Sequence, residues 1–254
     1  PERCTIFVQS RVPEHAELHV LLSMITPISW LERVPTYKQQ QQELADRDLS
    51  TYAFLGYPVL QAADILLYKA DRVPVGEDQL PHLELTREIA RRFNHLYGNL
   101  FPEPQALLTT TPKLPGPDGR KMSKSYGNVI LPTEPVATLT KKVRSMVTDP
   151  ARIHVSDHGH PEICTVYHFH EVYSPKERVE VVARDCRGAI LPCVDCKADL
   201  AKRLDGLLAP IREARARFES DPAAVDRIIE DGCRKAQSLA RLTLAQVRKA
   251  LHLV

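Results

Sequence analysis

Lys121-Met122-Ser123-Lys124-Ser125 is the most informative stretch of this 254-residue sequence, and it is here named the K-M-S-K-S loop. Residues 114–119 before it contain two prolines and two glycines, and residues 126–128 after it contain another glycine, so a loop is predicted. Two ammonium and two hydroxyl groups within five residues can bind the oxygens of a polyphosphate. Such a loop can close over a triphosphate and stabilise a departing pyrophosphate. The alternative interpretation is a solvated basic loop.

Two further motifs precede the K-M-S-K-S loop. Residues 57–66 read Y-P-V-L-Q-A-A-D-I-L, and residues 73–79 read V-P-V-G-E-D-Q. Together with the loop, these motifs resemble those of bacterial tryptophanyl-tRNA synthetases, which are class I aminoacyl-tRNA synthetases. Parts of residues 9–18, 31–33 and 84–87 are similar to the same family. The resemblance therefore covers almost the whole chain, with several motifs in the family's order.

The resemblance implies an α/β protein with a Rossmann-like class I synthetase nucleotide-binding fold, followed by an all-helical C-terminal domain. Residues 1–50 are expected to belong to the connecting insertion of the catalytic domain and to a dimer interface. Residues 51–134 are expected to form the second half of the nucleotide fold with the K-M-S-K-S loop, and residues 135–254 a helical anticodon-binding domain that holds a cysteine cluster. Apolar spacing predicts a strand at 5–8 and helices at 14–24, 58–68, 80–93, 136–147, 176–185, 197–218 and 222–251.

A class I synthetase also carries an H-I-G-H-type element, in which a helix N-terminus receives the phosphates of ATP. The sequence begins with Pro1 and contains no such element. The resemblance places that element upstream of Pro1, with the first strand and its crossover helix. The expectation is therefore a partial nucleotide fold that lacks its first crossover, roughly one or two βαβ units of ~30 residues each, and that holds half of an active site.

Charge and hydrophobicity exclude some classes of protein. The chain has 34 Lys and Arg against 32 Asp and Glu, so it carries no general basic coat and any RNA contact is expected to be a local patch. A hydrophobic fraction of 43% is sufficient for a buried core. No apolar run approaches the ~20 residues of a membrane span, and no signal-peptide pattern opens the chain. We expect a cytoplasmic protein with no membrane partner.

Asp64 stands in a mostly apolar stretch, where a carboxylate is costly unless it is paired. For an isolated aspartate, the simplest interpretation is a carboxylate satisfied by a structural partner. The resemblance implies instead that Asp64 accepts a hydrogen bond from the indole N–H of tryptophan, which can only donate. Such a contact selects tryptophan over phenylalanine, since an unpaired buried acceptor costs ~1–3 kcal/mol.

The resemblance assigns the other tryptophan contacts to five residues. Tyr57 and Gln79 match residues that hold the α-amino group, and Val73 and Val75 match apolar walls around the indole ring. Packing in the core of a strand explains the two valines equally well. Gln61 occupies a position where some members of the family have methionine.

ATP contacts are expected in the K-M-S-K-S loop and after a strand-like run that ends at Val75. Gly76 lets the backbone approach a ligand there, at the carboxyl edge of a parallel sheet. The resemblance implies that these residues contact ATP: Gly76, Glu77, Asp78, Leu114, Lys121, Met122, Ser123, Lys124, Ser125 and Lys38. A solvated surface lysine is nearly as good an interpretation of Lys38.

The resemblance also implies a two-step reaction. The carboxylate of L-tryptophan attacks the α-phosphorus of ATP, pyrophosphate leaves, and the adenylate then passes tryptophan to the 3′ end of tRNA(Trp). Catalysis consists of positioning and of charge stabilisation. Lys121, Ser123 and Lys124 are the expected catalytic residues, acting with Mg²⁺ on the leaving pyrophosphate. The expected partners are tryptophan, ATP, tRNA(Trp) and a second copy of the chain in a homodimer.

Four of the six cysteines form a C-x21-C-x6-C-x2-C array, namely Cys164, Cys186, Cys193 and Cys196. Disulfides are not expected in an intracellular protein, and a tight turn with two thiolates suits a metal. Zinc is the general choice for four cysteines, and four unrelated cysteines are the alternative. Some tryptophanyl-tRNA synthetases hold a [4Fe–4S] cluster in an array of nearly this spacing, so the resemblance ranks the cluster first and zinc second. The flanking histidines are interpreted as surface or packing residues: His158, His160, His168 and His170.

Two other functions stay open on the sequence alone. Tyrosyl-tRNA synthetase shares the fold, but Asp64 and the V-P-V-G-E-D-Q motif favour tryptophan. The missing H-I-G-H-type element supports a non-catalytic RNA-binding or redox-sensing paralogue. Lys197, Lys202 and Arg203 follow the cysteines directly and are candidates for contacts with the anticodon end of tRNA.

Overall fold

The computed structural model describes residues 3–35, 50–108 and 114–253. The chain divides into two compact units, Pro1–Thr109 with Ala223–Val254, and Thr110–Pro222. The helices are α1 (Glu14–Ser23), α2 (Ile28–Glu32), α3 (Tyr52–Leu66), α4 (Leu80–Tyr97), α5 (Val136–Arg144), α6 (Thr165–Tyr173), α7 (Lys176–Arg187), α8 (Cys193–Ser220) and α9 (Pro222–Ala250), and the strands are β1 (Arg72–Pro74) and β2 (Gln105–Leu107). The functional domains expected at residues 1–50, 51–134 and 135–254 stay a prediction.

The first unit contains a β1–α4–β2 crossover. The two strands are parallel, with Val73 opposite Ala106. Parallel neighbours need a crossover connection, and α4 supplies it. Val75 continues the pairing beyond β1, because its N–H donates to the Leu107 carbonyl at 3.3 Å. This α/β unit agrees with the expected second half of a nucleotide fold, and it places residues 76–79 at the carboxyl end of β1.

Helix α3 lies at the centre of the first unit and packs against α1 and α4. It begins after Thr51, whose hydroxyl accepts a hydrogen bond from the Phe54 N–H at 3.3 Å. Val59, Ala62 and Leu66 are buried along its inner side. A helix this apolar is stable only between other elements, which is where the fold places it.

Helix α4 shows the amphipathic pattern that the sequence predicts. Leu85, Ile89 and Phe93 recur every four residues and are buried against the core of the first unit. Pro81 stands in the first turn, where a missing N–H costs nothing. The helix ends at Gly98, whose φ of 97° lies in a region that other residues avoid.

The strand predicted at residues 5–8 is wrong. Val8 has an extended backbone, but its N–H donates to the Cys233 sulfur on α9 at 3.5 Å instead of to a neighbouring strand. The Ile6 carbonyl lies so close to α9 that a Cβ built on Gly232 would come within 1.8 Å of its oxygen. Apolar alternation indicates an extended segment, but a strand also needs a paired neighbour, and this segment packs on a helix.

The second unit is helical around a core formed by α5, α6 and α8. Its largest buried side chains are Leu139, Met146, Phe169 and Leu200. The predicted helices at 136–147, 176–185 and 197–218 are confirmed, but α8 begins earlier, at Cys193. The sequence did not predict α6, because histidines and tyrosines interrupt its apolar stripe. Within the described parts of both units, no helix is long and apolar enough to cross a membrane.

Candidate active site

Tyr57, Gln61 and Asp64 lie on one face of α3, since spacings of four and three residues return to the same side of a helix. The Asp64 carboxylate is paired. Its Oδ1 accepts hydrogen bonds from His15 Nδ1 and from Gln9 Nε2, each at 2.7 Å, and its Oδ2 accepts from Gln9 Nε2 at 2.8 Å. The structure thus gives Asp64 the partners that a carboxylate in an apolar helix requires.

Tyr57 stands two turns before Asp64 and has a histidine partner of its own. Its hydroxyl lies 2.7 Å from Nε2 of His82, in the first turn of α4. Burial raises the pKa of Tyr57 and lowers the pKa of His82, so both side chains are favoured in their neutral forms. The Tyr57 hydroxyl is therefore held in place on the face that Gln61 and Asp64 share.

Gln61 and Gln79 meet across α3 and the start of α4. Gln61 Nε2 donates to Gln79 Oε1 at 3.4 Å, and Gln79 Nε2 donates to Asp78 Oδ2 at 3.0 Å. Val73 and Val75 are half-buried in and just after β1. The structure therefore brings the two predicted glutamines together, next to the helical face with the other expected tryptophan contacts.

Residues 76–78 form an exposed turn at the carboxyl end of β1. The Gln79 N–H donates to the Gly76 carbonyl at 3.0 Å, which closes the turn. A Cβ on Gly76 would come within 2.7 Å of Asp78 Oδ1, so this glycine provides room for the acidic side chain. The turn is accessible to a ligand, as the predicted contact with adenosine requires.

The K-M-S-K-S loop belongs to the second unit and is held by Asn128. Asn128 Oδ1 accepts from the Ser123 N–H at 2.8 Å, while its Nδ2 donates to the Lys121 carbonyl at 3.1 Å and to Asp118 Oδ1 at 2.8 Å. The hydrogen bond from Asn128, with a smaller contribution from Arg120, lowers the pKa of Asp118 to about 2. Asn128 thus holds the loop backbone at Lys121 and Ser123, while the side chains of Lys121 and Lys124 are exposed.

The loop borders a broad cleft of about 1180 Å³ within the second unit. Leu114 and Lys121, both predicted to contact ATP, line this cleft with Thr165 and His168. Pro115 pairs with Lys121 in an isolated antiparallel bridge, and the Gly116 N–H donates to the Arg120 carbonyl at 2.6 Å. This hairpin is what brings Leu114 next to the K-M-S-K-S loop.

The four cysteines of the array line one small cavity of about 20 Å³. Cys164 precedes α6, Cys186 lies in the last turn of α7, and Cys193 and Cys196 lie in the first turn of α8. All four are free thiols. Burial raises the pKa of Cys196 to about 12. In the described ranges, no three His, Cys, Asp or Glu side chains form a group that could hold a single metal ion.

Three of the flanking histidines have partners outside the cysteine cavity, and His170 also contacts the backbone of Cys196. His160 Nδ1 lies 2.8 Å from Asp149 Oδ2, and His168 Nδ1 lies 3.0 Å from Glu171 Oε2. His158 Nδ1 contacts the Arg187 carbonyl. His170 is fully buried, with its Nδ1 2.8 Å from Ser174 Oγ and its Nε2 3.4 Å from the Cys196 carbonyl oxygen.

The predicted site residues fall in both units. The tryptophan contacts and residues 76–78 belong to the first unit, and the K-M-S-K-S loop, Leu114 and the cysteines belong to the second. Lys38 and the side chain of Ser125 lie outside the described part of the chain.

The sequence did not assign a role to Gln9, His15, His82 or Asn128. His15 and Gln9 belong to the family-like stretch at residues 9–18, which was the available signal. Their partner is 49 residues from His15 and 55 residues from Gln9, so local spacing does not reveal it.

Comparisons with known proteins identify the family. The family described as "tRNA synthetases class I (W and Y)" matches residues 1–209. The chain is similar to the tryptophan–tRNA ligase of Thermotoga maritima (53% identity over 100% of this chain and 78% of the relative) and to that of Ralstonia nicotianae (42%, 100% and 81%). It also resembles the crystal structure of tryptophanyl-tRNA synthetase from Campylobacter jejuni complexed with ADP and tryptophan (29% identity, 99% of this chain, 78% of that chain, TM-score 0.84). These matches confirm the predicted fold class, and they show that the chain belongs to the bacterial-type tryptophanyl-tRNA synthetases of class I.

Proposed function

We propose that the protein is a tryptophan–tRNA ligase, which activates L-tryptophan with ATP and transfers it to tRNA(Trp). The observation that carries this proposal is the row of Tyr57, Gln61 and Asp64 on one face of α3 in a chain of this family. A phenol, an amide and a carboxylate within eight residues provide acceptors for both nitrogen atoms of tryptophan.

Each end of the tryptophan molecule has a matching group. Asp64 Oδ2 accepts the indole N–H. The Tyr57 hydroxyl and the Gln79 side chain hold the α-ammonium group, while Val73 and Val75 contact the ring. Tyr57 is held by His82 and Gln79 is held by Asp78 and Gln61, which supports a pocket that is organised before the substrate arrives.

Activation of tryptophan is an in-line displacement at phosphorus. A carboxylate oxygen of tryptophan forms a bond to the α-phosphorus of ATP, the bond from that phosphorus to the β-bridging oxygen breaks, and pyrophosphate leaves with the electron pair. Gly76, Glu77, Asp78 and Leu114 contact the nucleotide. Lys121 and Lys124 neutralise negative charge on the leaving pyrophosphate, with Ser123 as a hydrogen-bonding partner. When bound, Mg²⁺ supplies further neutralisation of the phosphate oxygens.

Two features of the K-M-S-K-S loop support this role. Both lysine side chains are exposed, and Asn128 holds the loop backbone at Lys121 and Ser123. Charged groups on an ordered backbone cost less reorganisation when the transition state forms. Lys38 and Ser125 remain proposed ATP contacts on the family resemblance alone.

The second proposed partner is another copy of the chain. Val20, Met24 and Ile28 are 49%, 73% and 63% exposed at the end of α1 and the start of α2. Their segment belongs to residues 1–50, which the family resemblance assigns to a dimer interface. Exposed large apolar side chains so close together favour contact with another protein surface over contact with water.

The third proposal concerns the cysteine cavity, where a [4Fe–4S] cluster fits the donor set. A zinc ion needs four thiolates ~2.3 Å from one centre, while a cubane places one thiolate on each of four separate irons. The four thiols line a common cavity, which supports a shared ligand, and the family resemblance ranks the cluster above zinc. Gly159 has no side chain, which leaves space for Cys186, since a Cβ on Gly159 would come within 2.4 Å of the Cys186 sulfur.

Such a cluster would have a structural role next to the RNA-binding region. Cys164, Cys186, Cys193 and Cys196 would hold it, and it would join the starts of α6 and α8 to the end of α7. Lys197, Lys202 and Arg203 directly follow on α8 and are the proposed contacts with tRNA. The cytoplasm is the proposed location of the protein.

Aminoacylation tests the proposed function. The full-length protein is incubated with ATP, Mg²⁺, radiolabelled tryptophan and tRNA(Trp), and charged tRNA is counted. We expect charging with tryptophan and none with tyrosine. Charging with tyrosine would instead support the tyrosyl enzyme, and RNA binding without any charging would support a non-catalytic paralogue.

A further inference from the structure

We propose that His15 and Gln9 are positioning residues that hold the Asp64 carboxylate, and that they set the selectivity for an amino acid with an N–H donor on its ring. The inference rests on the proposed role of Asp64 in tryptophan binding. His15 Nδ1 and Gln9 Nε2 each lie 2.7 Å from Asp64 Oδ1. On its other side, His15 Nε2 lies 2.8 Å from the Tyr68 hydroxyl.

The chemistry of the partners fixes the direction of these hydrogen bonds. An ionised carboxylate can only accept, so Nδ1 of His15 and the amide nitrogen of Gln9 must be the donors. In a neutral His15, Nε2 then has no proton and accepts from the Tyr68 hydroxyl. Burial, followed by the charge of Asp64, raises the pKa of Tyr68 to about 12, so the phenol keeps the proton that it donates.

The surroundings of His15 hold its ring in one orientation. His15 is only 3% exposed. The rings of Phe7 and Tyr68 lie 5.8 Å and 5.4 Å from the His15 ring, measured between centroids. The ring is therefore held between two aromatic neighbours while it contacts Asp64, and it restrains the carboxylate in the last turn of α3.

This arrangement leaves one acceptor position for a ligand. Within the described residues, Oδ1 of Asp64 accepts two hydrogen bonds, while Oδ2 accepts one from Gln9. Each carboxylate oxygen offers about two acceptor positions, so Oδ2 retains one. The Asp64 side chain is 38% exposed, unlike its histidine partner, so that position is accessible.

Selectivity follows from the direction of the free acceptor. A fixed Oδ2 matches a donor in one place, and a ring without that donor leaves the carboxylate desolvated and unpaired. If Asp64 could rotate, its carboxylate would hydrogen-bond to water instead. The difference in kcat/KM between a substrate whose ring has an N–H donor and one whose ring lacks it would then shrink. His15 and Gln9 thus act on the ligand only through Asp64.

The test compares tryptophan with β-(benzothiophen-3-yl)-L-alanine, in which sulfur replaces the ring N–H at nearly the same shape. The kcat/KM of amino-acid activation is measured for both substrates in the full-length protein. His15→Leu removes the donor to Asp64. His15→Asn keeps a donor near the position of Nδ1 and is the matched control. Gln9→Met removes the second donor at an exposed position, where folding is not at risk.

We expect His15→Leu to reduce the preference for tryptophan roughly tenfold, which corresponds to about 1.4 kcal/mol. The loss should come from a lower kcat/KM for tryptophan, with the value for the sulfur analogue changed less than about twofold. His15→Asn should restore most of the preference, and Gln9→Met should reduce it by a smaller factor. Equal losses for both substrates, or unchanged preference in Gln9→Met and His15→Leu, would overturn the inference.

Asp64→Ala, which removes the acceptor, separates this inference from the proposed function. If Asp64→Ala removes the preference but Gln9→Met and His15→Leu do not, Asp64 binds the indole without help and only the positioning role is lost. If Asp64→Ala leaves the preference intact, the assignment of Asp64 itself is wrong. Should His15→Leu fail to fold, as judged by circular dichroism, the comparison of Gln9→Met and His15→Asn decides the question with the same expected directions.

Discussion

The hydroxyl of Tyr57 lies 2.7 Å from Nε2 of His82, and this contact joins the middle of α3 to the first turn of α4. His82 is 1% exposed, so the partner of the hydroxyl is held by the core of the first unit. Tyr57 on α3 and Gln79, directly before α4, are therefore fixed relative to each other at the point where both are proposed to bind the α-ammonium group of tryptophan.

Tyr57→Phe is expected to raise the KM for tryptophan roughly tenfold, because an acceptor for the α-ammonium group is lost at a cost of ~1–3 kcal/mol. The KM for ATP should change less than about twofold. Pyrophosphate exchange at varied tryptophan measures both. Tyr97→Phe removes a hydroxyl at the end of α4 and serves as the control. A Tyr57→Phe enzyme with the wild-type KM for tryptophan would count against this contact.

Lys124→Ala is expected to lower the rate of adenylate formation by ~100-fold or more while the dissociation constant for tryptophan stays within about threefold. The reason is that the lysine contact strengthens as charge develops on pyrophosphate. Single-turnover kinetics measures the rate and fluorescence titration measures binding. Lys141→Ala, at an exposed position on α5, is the control for removal of a positive charge. A normal rate with only weaker tryptophan binding would remove Lys124 from the catalytic residues.

Cys193→Ser is expected to abolish the iron–sulfur cluster and to impair charging of tRNA more than adenylate formation, because the cysteines belong to the second unit and the tryptophan contacts on α3 belong to the first. Iron and acid-labile sulfide are measured in protein purified without oxygen. About four irons per chain support the cluster, and one zinc per chain supports the second choice. Cys4→Ser changes an exposed cysteine outside the array and should leave the metal content unchanged. Thiols that titrate freely with no bound metal would contradict both assignments.

Gly232→Ala is expected to destabilise the protein by ~1–3 kcal/mol, since its Cβ would come within 1.8 Å of the Ile6 carbonyl oxygen. Gly206→Ala is the matched control within α8, because a Cβ there meets nothing within 4 Å. That control should stabilise the helix by ~0.5–1 kcal/mol. Urea denaturation measures both changes. Equal stability of the two variants would show that residues 5–8 do not pack on α9 as described.

The sequence is sufficient for those parts of the site that rest on contiguous residues. The K-M-S-K-S loop is recognisable because its five residues and its flanking turns are adjacent. Tyr57, Gln61 and Asp64 are recognisable because one helix presents them together. The helix predicted at residues 80–93 is recognisable because its apolar residues recur at helical spacing, and those are the residues that the helix buries.

The sequence is not sufficient where a side chain depends on a distant partner. His15 and His82 have no local pattern that distinguishes a buried positioning residue from an ordinary core histidine, because their partners are 49 and 25 residues away. Residues 5–8 have strand-like composition, but their neighbour is α9, more than two hundred residues later. Asn128 looks like an ordinary turn residue until its two contacts with the loop and its third with Asp118 are seen.

Amino-acid-dependent exchange of pyrophosphate into ATP tests the central claim most directly. The full-length protein is assayed with each of the twenty amino acids in turn, with Asp64→Ala measured in parallel. We predict that tryptophan alone supports exchange in the wild-type protein and that Asp64→Ala loses most of this activity at low tryptophan concentration. Exchange supported equally by tyrosine, or undiminished tryptophan-dependent exchange in Asp64→Ala, would contradict the account.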